Sequence, residues 1–175
     1  LFDSLKPTIV FVSASQKAGF KAKAPTAVIA PGVRSAFFER DATPEIDPFP
    51  EMSAAVDPHA APQNALPPPH AVVTTHPQQG LAWLIDIWAK IIHPQLPQAR
   101  MAVYSAALHK GMKGEDVPEA LKPILDVVRG AAAMNIVAME PRSDRGMAEA
   151  YRSSRVHLYP SFSQDIACWT LQESQ

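Results

Sequence analysis

The fold turns on AVVTTHPQQGLAWLIDIWAKII, Ala71 to Ile92. Its opening AVVTT (Ala71 to Thr75) is apolar and β-branched, the composition of a strand buried on both faces. After HPQQG, the residues Leu81, Leu84, Ile85, Trp88 and Ile91 recur at three- and four-residue spacing, which predicts an amphipathic helix with that stripe turned inward. A strand that feeds a helix through a short turn is half of a parallel crossover unit.

The same unit repeats downstream. MAVYS (Met101 to Ser105) reads as a strand; DVPEALKPILDVVRG follows, opening on a capping box of Asp116 with Glu119 and ending on Gly130. Pro123 moves the start of its regular part to about Leu121. NIVAM (Asn135 to Met139) is a third strand, Asp144 to Ser154 a third helix, VHLYP (Val156 to Pro160) a fourth strand, and another helix begins near Cys168. The alternation predicts an α/β fold, a Rossmann-like parallel sheet with helices on both faces. Such sheets bind ligands at the carboxyl ends of their strands, so function is expected in the turns THPQQG, YSAALHKG, MEPRSDRG and PSFSQD.

Upstream, Thr8 to Val12 (TIVFV) reads as a short strand, Ser13 caps a short helix, and AVIAPGV (Ala27 to Val33) is a second extended run. This αβ fragment is too small to bury a core alone. Asp41 to Pro69 carries eight prolines among alanines and acids, without strand or helix periodicity, and reads as a linker. Three parts result: a small αβ piece over 1-40, a proline-rich linker expected to be disordered over 41-69, and the sheet domain over 70-175. The first residue is Leu1 rather than Met, from which lost material at the front is expected.

The 175 residues are 47% hydrophobic and carry 16 Lys plus Arg against 17 Asp plus Glu, net charge -1. No global field therefore draws the chain to nucleic acid or an anionic surface. Asp86 and Lys90 interrupt the most apolar window, so no transmembrane span is predicted. Cys168 is the single cysteine, which excludes an internal disulfide and fits a reducing compartment. The cytosol is the expected location, with peripheral work at the inner membrane face compatible with it. The six histidines lack paired helical spacing and a companion Cys cluster, so neither a metal nor a resident cofactor is expected. Trp83 and Trp88 read as packing residues. Neither a G-x-x-x-x-G-K-[ST] loop nor a G-x-G-x-x-G fingerprint is present.

Near the end, Asp165 and Glu173 are separated by seven residues. A helix starting near Ala167 would put Asp165 in the turn ahead of it and Glu173 about two turns in. The amides of Ile166, Ala167 and Cys168 would point outward, suited to a phosphate, and the acids would accept hydrogen bonds from hydroxyls. As a bare pattern, such a pair is common and is more often a solvated surface pair with no role.

Several motifs in order carry a resemblance. Met147, Ala148 and Tyr151 in a helix, then Tyr159, Pro160 and Ser161 ending a strand, lead to Asp165 and to Glu173 in an L-x-E-x-Q context. HPQQGL is similar to an R-P-x-R-G-L turn, and IVFVSASQKAGF and VIAPGVRSAFF to S-x-x-Q-x-x-x-F and I-x-P-G-V followed by Phe38. Together they resemble glycosyltransferase family four, retaining enzymes of GT-B architecture, over residues 8-40 and 70-175. The resemblance implies a nucleotide-diphosphate-sugar donor of unknown base, an unknown acceptor, no required metal, and a missing acceptor domain. By position it implies that Glu173 binds the ribose hydroxyls, that Asp165, the catalytic candidate, contacts the transferred sugar, and that the amides of Ile166 to Cys168 hold the diphosphate. The two basic positions of the first turn fall on His76 and Gln79, and Gln79 supplies no charge. Lys110 and Arg142, on neighbouring turns, are candidates to compensate or are solvated surface charges. A working sugar transferase in full-length form and a non-catalytic nucleotide-binding module or remnant are the two function classes that follow. For this chain by itself, no transfer is expected.

Overall fold

The computed structural model describes residues 7–21, 24–39, 69–162 and 168–175. The predicted linker up to residue 68, along with Asp165, Ile166 and Ala167, lies outside them.

Four strands form one parallel sheet: β3 (His70–Val73), β4 (Arg100–Tyr104), β5 (Ile136–Met139) and β6 (Val156–His157), in the order β5-β4-β3-β6. The remaining strands, β1 (Ile9–Phe11) and β2 (Thr26–Val28), form a separate parallel pair. Between them runs α1 (Ala14–Ala18), capped by Ser13, whose hydroxyl accepts from the Gln16 amide at 3.1 Å as predicted.

Strand pleat divides the core into two layers. Ala71, Val73, Met101, Val103, Ile136 and Ala138 face one side, covered by α2 (Leu81–Ile87), α3 (Ala106–Met112) and α4 (Lys122–Gly130). Val72, Ala102 and Tyr104 face the other, covered by α5 (Asp144–Ser153) through Ala150 and Tyr151. Successive residues of one strand point to opposite faces, so a sheet buried on both needs continuous apolar strands, and β4 is buried at all five positions. The chain steps from β3 to β4 to β5, then returns across the sheet to β6 on the far side of β3. Parallel crossovers keep one hand, so reversing the direction of travel moves the connecting helix to the opposite face, where α5 lies. The expected α/β sheet with helices on both faces is present.

Four local expectations are corrected. YSAALHKG is not only a turn: Ala106–Met112 is helical, capped by the Ser105 hydroxyl. Gly111 within it permits close packing, since a Cβ there would stand 2.6 Å from Leu125 Cδ2 and 2.9 Å from Val117 Cγ1. The Asp116/Glu119 capping box does not form: Glu119–Leu121 is a 3₁₀ turn, α4 begins at Lys122 without a side-chain cap, and the Glu119 carboxylate pairs with Lys122 at 2.7 Å. Ile91 is exposed, because α2 passes into a π turn at Trp88–Ile92. That wider turn advances the stripe by one residue, and Ile92 packs on the core instead. Pro94, which lacks an N–H and crowds the carbonyl four residues back, is the local reason for the widening. Trp83 is half-exposed and meets Phe162 edge-on at 6.0 Å, so of the two tryptophans expected to pack, only Trp88 is buried.

Candidate functional site

The order β5-β4-β3-β6 has its reversal between β3 and β6, and the crevice at the carboxyl ends of those strands is where an open α/β sheet can receive a ligand. Two turns meet there. After β3, the His76 ring Nδ1 accepts from the Gln78 amide at 3.4 Å, and Pro77–Gln79 makes one 3₁₀ turn. After β6, Pro160 to Phe162 folds back onto that turn, and the Ser161 hydroxyl donates to Gln79 Oε1 at 3.1 Å. Gly80 joins the turn to α2 at φ +109, where an added Cβ would stand 3.3 Å from both Phe162 and Pro160. Gly80→Ala is expected to cost about 1–3 kcal/mol of stability through this backbone conformation alone. A lowered urea midpoint at unchanged m would register it, and an unchanged midpoint would contradict the geometry.

Glu173 is the last residue of the five-residue helix α6 (Trp169–Glu173), not a residue two turns in, and its side chain is only 12% exposed. Cys168 is the N-cap rather than part of the helix, so the first-turn amides belong to Trp169, Thr170 and Leu171. The Cys168 Sγ stands 3.5 Å from the Thr170 hydroxyl. A carboxylate at a helix carboxyl end faces the unfavourable pole of the helix. Arg34 offsets this: its Nη2 donates to Glu173 Oε1 at 3.0 Å while its Nη1 reaches Asp144 at 2.6 Å. Both acids favour the guanidinium charge, and the hydrogen bond to Glu173 is the main reason that its pKa is raised. Phe37 packs beside it against Tyr151 at 6.1 Å, and the Arg152 guanidinium donates to the Glu39 carbonyl. Residues 34–39 are thus docked on α5 and α6.

Behind Glu173 lies a polar chain that the sequence reading missed. His157 Nε2 is 2.8 Å from the Thr74 hydroxyl, and its Nδ1 is 2.8 Å from the Ser174 hydroxyl. The ring stacks on Tyr151 at 5.2 Å. Burial lowers the His157 pKa. Tyr151 is pushed up to about 12, mainly by burial and further by the Glu173 charge, against a hydrogen bond with Thr74 that lowers it. A phenol whose folded value exceeds its unfolded value contributes stability that is complete below pH 10 and lost as pH rises through about 12. The chain is therefore expected to lose stability across that window, and Tyr151→Phe to flatten the loss; denaturation profiles that superimpose would refute the assignment.

The other predicted residues are spread around the crevice. Arg142 is half-buried on the loop after β5, with Cζ 6.0 Å from the Tyr104 ring centroid, and its charge opposes the rise that burial gives the Tyr104 pKa. Gly146 makes room for it, since a Cβ there would stand 2.8 Å from Arg142 Cβ. Lys110 is exposed on α3 and, among the described residues, takes no part in the contacts joining Thr74, Tyr151, His157, Ser174 and Glu173. Among the described candidates, Glu173 has a side chain tied into this cluster by an ion pair, with Arg34. Arg34, Asp144, Thr74, His157 and Ser174 were missed. Strand periodicity marks the face of His157, but nothing in the sequence joins residues 34, 144 and 173.

Among the described residues, no helix is long and apolar enough to cross a membrane, and no three His, Cys, Asp or Glu gather as a metal site. No protein-family model, curated protein or solved structure matches the chain.

Proposed function

We propose that this chain binds a nucleoside-diphosphate sugar in the crevice between the carboxyl ends of β3 and β6, as the donor half of a retaining glycosyltransferase. The observation that carries the reading is a largely buried carboxylate, Glu173, at the topological reversal of a parallel sheet. In this reading Glu173 accepts hydrogen bonds from the ribose hydroxyls and Asp165 contacts the transferred sugar. A carboxylate has about four acceptor positions. Arg34 uses one oxygen, so Glu173 keeps capacity for a diol. Arg142 contributes positive charge toward the diphosphate, offsetting the neutral Gln79; electrostatic stabilisation of that leaving group is the main chemical task of such a site.

The alternative, a nucleotide-binding module without catalysis, draws support from two contacts. Gln79 is engaged by Ser161, and Glu173 is already ion-paired to Arg34. Equilibrium titration of the full chain with UDP, GDP and ADP tests the binding common to both readings. Saturable binding of one of them is the expected result, and absence of binding by all three overturns it. Turnover of the matching nucleotide sugar with a panel of sugar acceptors then separates the two.

A further inference from the structure

We propose that His157 is the positioning residue of this crevice, fixing α6, and with it Glu173, through a one-way chain of hydrogen bonds that only the Nδ1-protonated tautomer completes.

The direction of each bond follows from counting protons. The Ser174 hydroxyl has one hydrogen and donates it to the Leu171 carbonyl at 3.0 Å. Toward His157 it can therefore only accept, so the proton across the 2.8 Å contact sits on Nδ1. In a neutral imidazole the other nitrogen is then an acceptor. Hence the Thr74 hydroxyl donates to Nε2 at 2.8 Å. The chain runs Thr74 to His157 to Ser174 to Leu171, and its members lie at the end of β3, on β6 and on α6.

Without this chain α6 has little to hold it. The helix is five residues long, has no buried residue and has no side-chain N-cap. A single helical turn is unstable by itself. Among the described residues, its polar ties to other elements include the His157–Ser174 bond and the Glu173–Arg34 pair, whose guanidinium end is exposed and which therefore contributes less than a fully buried pair. Glu173 is the residue next to Ser174, so the ring that fixes one fixes the other. The low pKa that burial imposes keeps His157 neutral at ordinary pH, as the chain requires.

The bearing on donor binding rests on the nucleotide-sugar reading; the tautomer and the docking of α6 do not. Nitrogen NMR of the full chain at pH 8 is expected to find Nδ1 protonated and Nε2 bare, and the reverse tautomer would overturn the proposal. Three variants then divide the two bonds. His157→Asn puts an amide donor near the Nδ1 position, His157→Gln puts an amide acceptor near Nε2, and His157→Phe keeps the stack alone. Amide exchange across residues 169–173 is expected to stay slow in the Asn variant and to quicken about tenfold or more in the Gln and Phe variants, with β3 and β4 protected throughout. Equal exchange in all four proteins, or protection kept by Gln and lost by Asn, overturns the positioning role. If wild type takes none of UDP, GDP and ADP, the donor reading fails, while the exchange pattern still decides the role of His157.

Discussion

Glu173→Ala is expected to weaken binding of the preferred nucleoside diphosphate about 10- to 150-fold. Hydrogen bonds to a charged group contribute about 1.5–3 kcal/mol, and each 1.4 kcal/mol is tenfold in affinity. The variant also unpairs Arg34, which holds residues 34–39 against α5 and α6. Arg34→Ala is the control: it removes the same ion pair and leaves the carboxylate in place. If Glu173 meets the ribose, titration calorimetry should find binding lost in Glu173→Ala and kept in Arg34→Ala. Equal losses in both would mean that Glu173 matters through docking of the front segment, and the ribose assignment would fall. Unchanged affinity in Glu173→Ala would dismiss it outright.

The largest stability effect is expected at Trp88. Its side chain is 2% exposed, packs in the layer formed by α2, α4 and β3 to β5, and donates from Nε1 to the Met134 carbonyl at 3.0 Å. Trp88→Ala removes a large apolar body and leaves that carbonyl without its donor, so a loss of about 3–5 kcal/mol is expected. Domains are stable by about 5–15 kcal/mol, so the variant gives up a large share of that stability. Trp83→Ala is the comparison: that ring is 53% exposed, and a far smaller change is expected. Urea denaturation followed by circular dichroism decides it, and similar midpoints for the two variants would contradict the burial difference.

Residue pattern alone is enough to place most elements of the sheet domain. Strands β3, β4 and β5 lie within a residue or two of the expected bounds, because a strand buried on both faces reads as a largely apolar run, with His70 and Arg100 at the first positions of β3 and β4. The stripe of α2 was legible as far as Trp88, where a local i, i+3, i+4 rule holds, and illegible beyond it, where Pro94 widens the turn. A seven-residue helix with a glycine in it looked like a turn, since the reason for Gly111 is the approach of Leu125 and Val117. The order of the strands and the company that Glu173 keeps emerge only once the chain is folded. Strand order depends on which way each crossover travels, which no local pattern encodes. The contacts of Glu173 with Arg34, 139 residues away, and of Ser174 with His157, which reaches on to Thr74 83 residues before it, arise where the chain reverses across the sheet. Residue type and spacing carry the local rules of helix and strand; the meeting of distant side chains is set by packing of the whole domain.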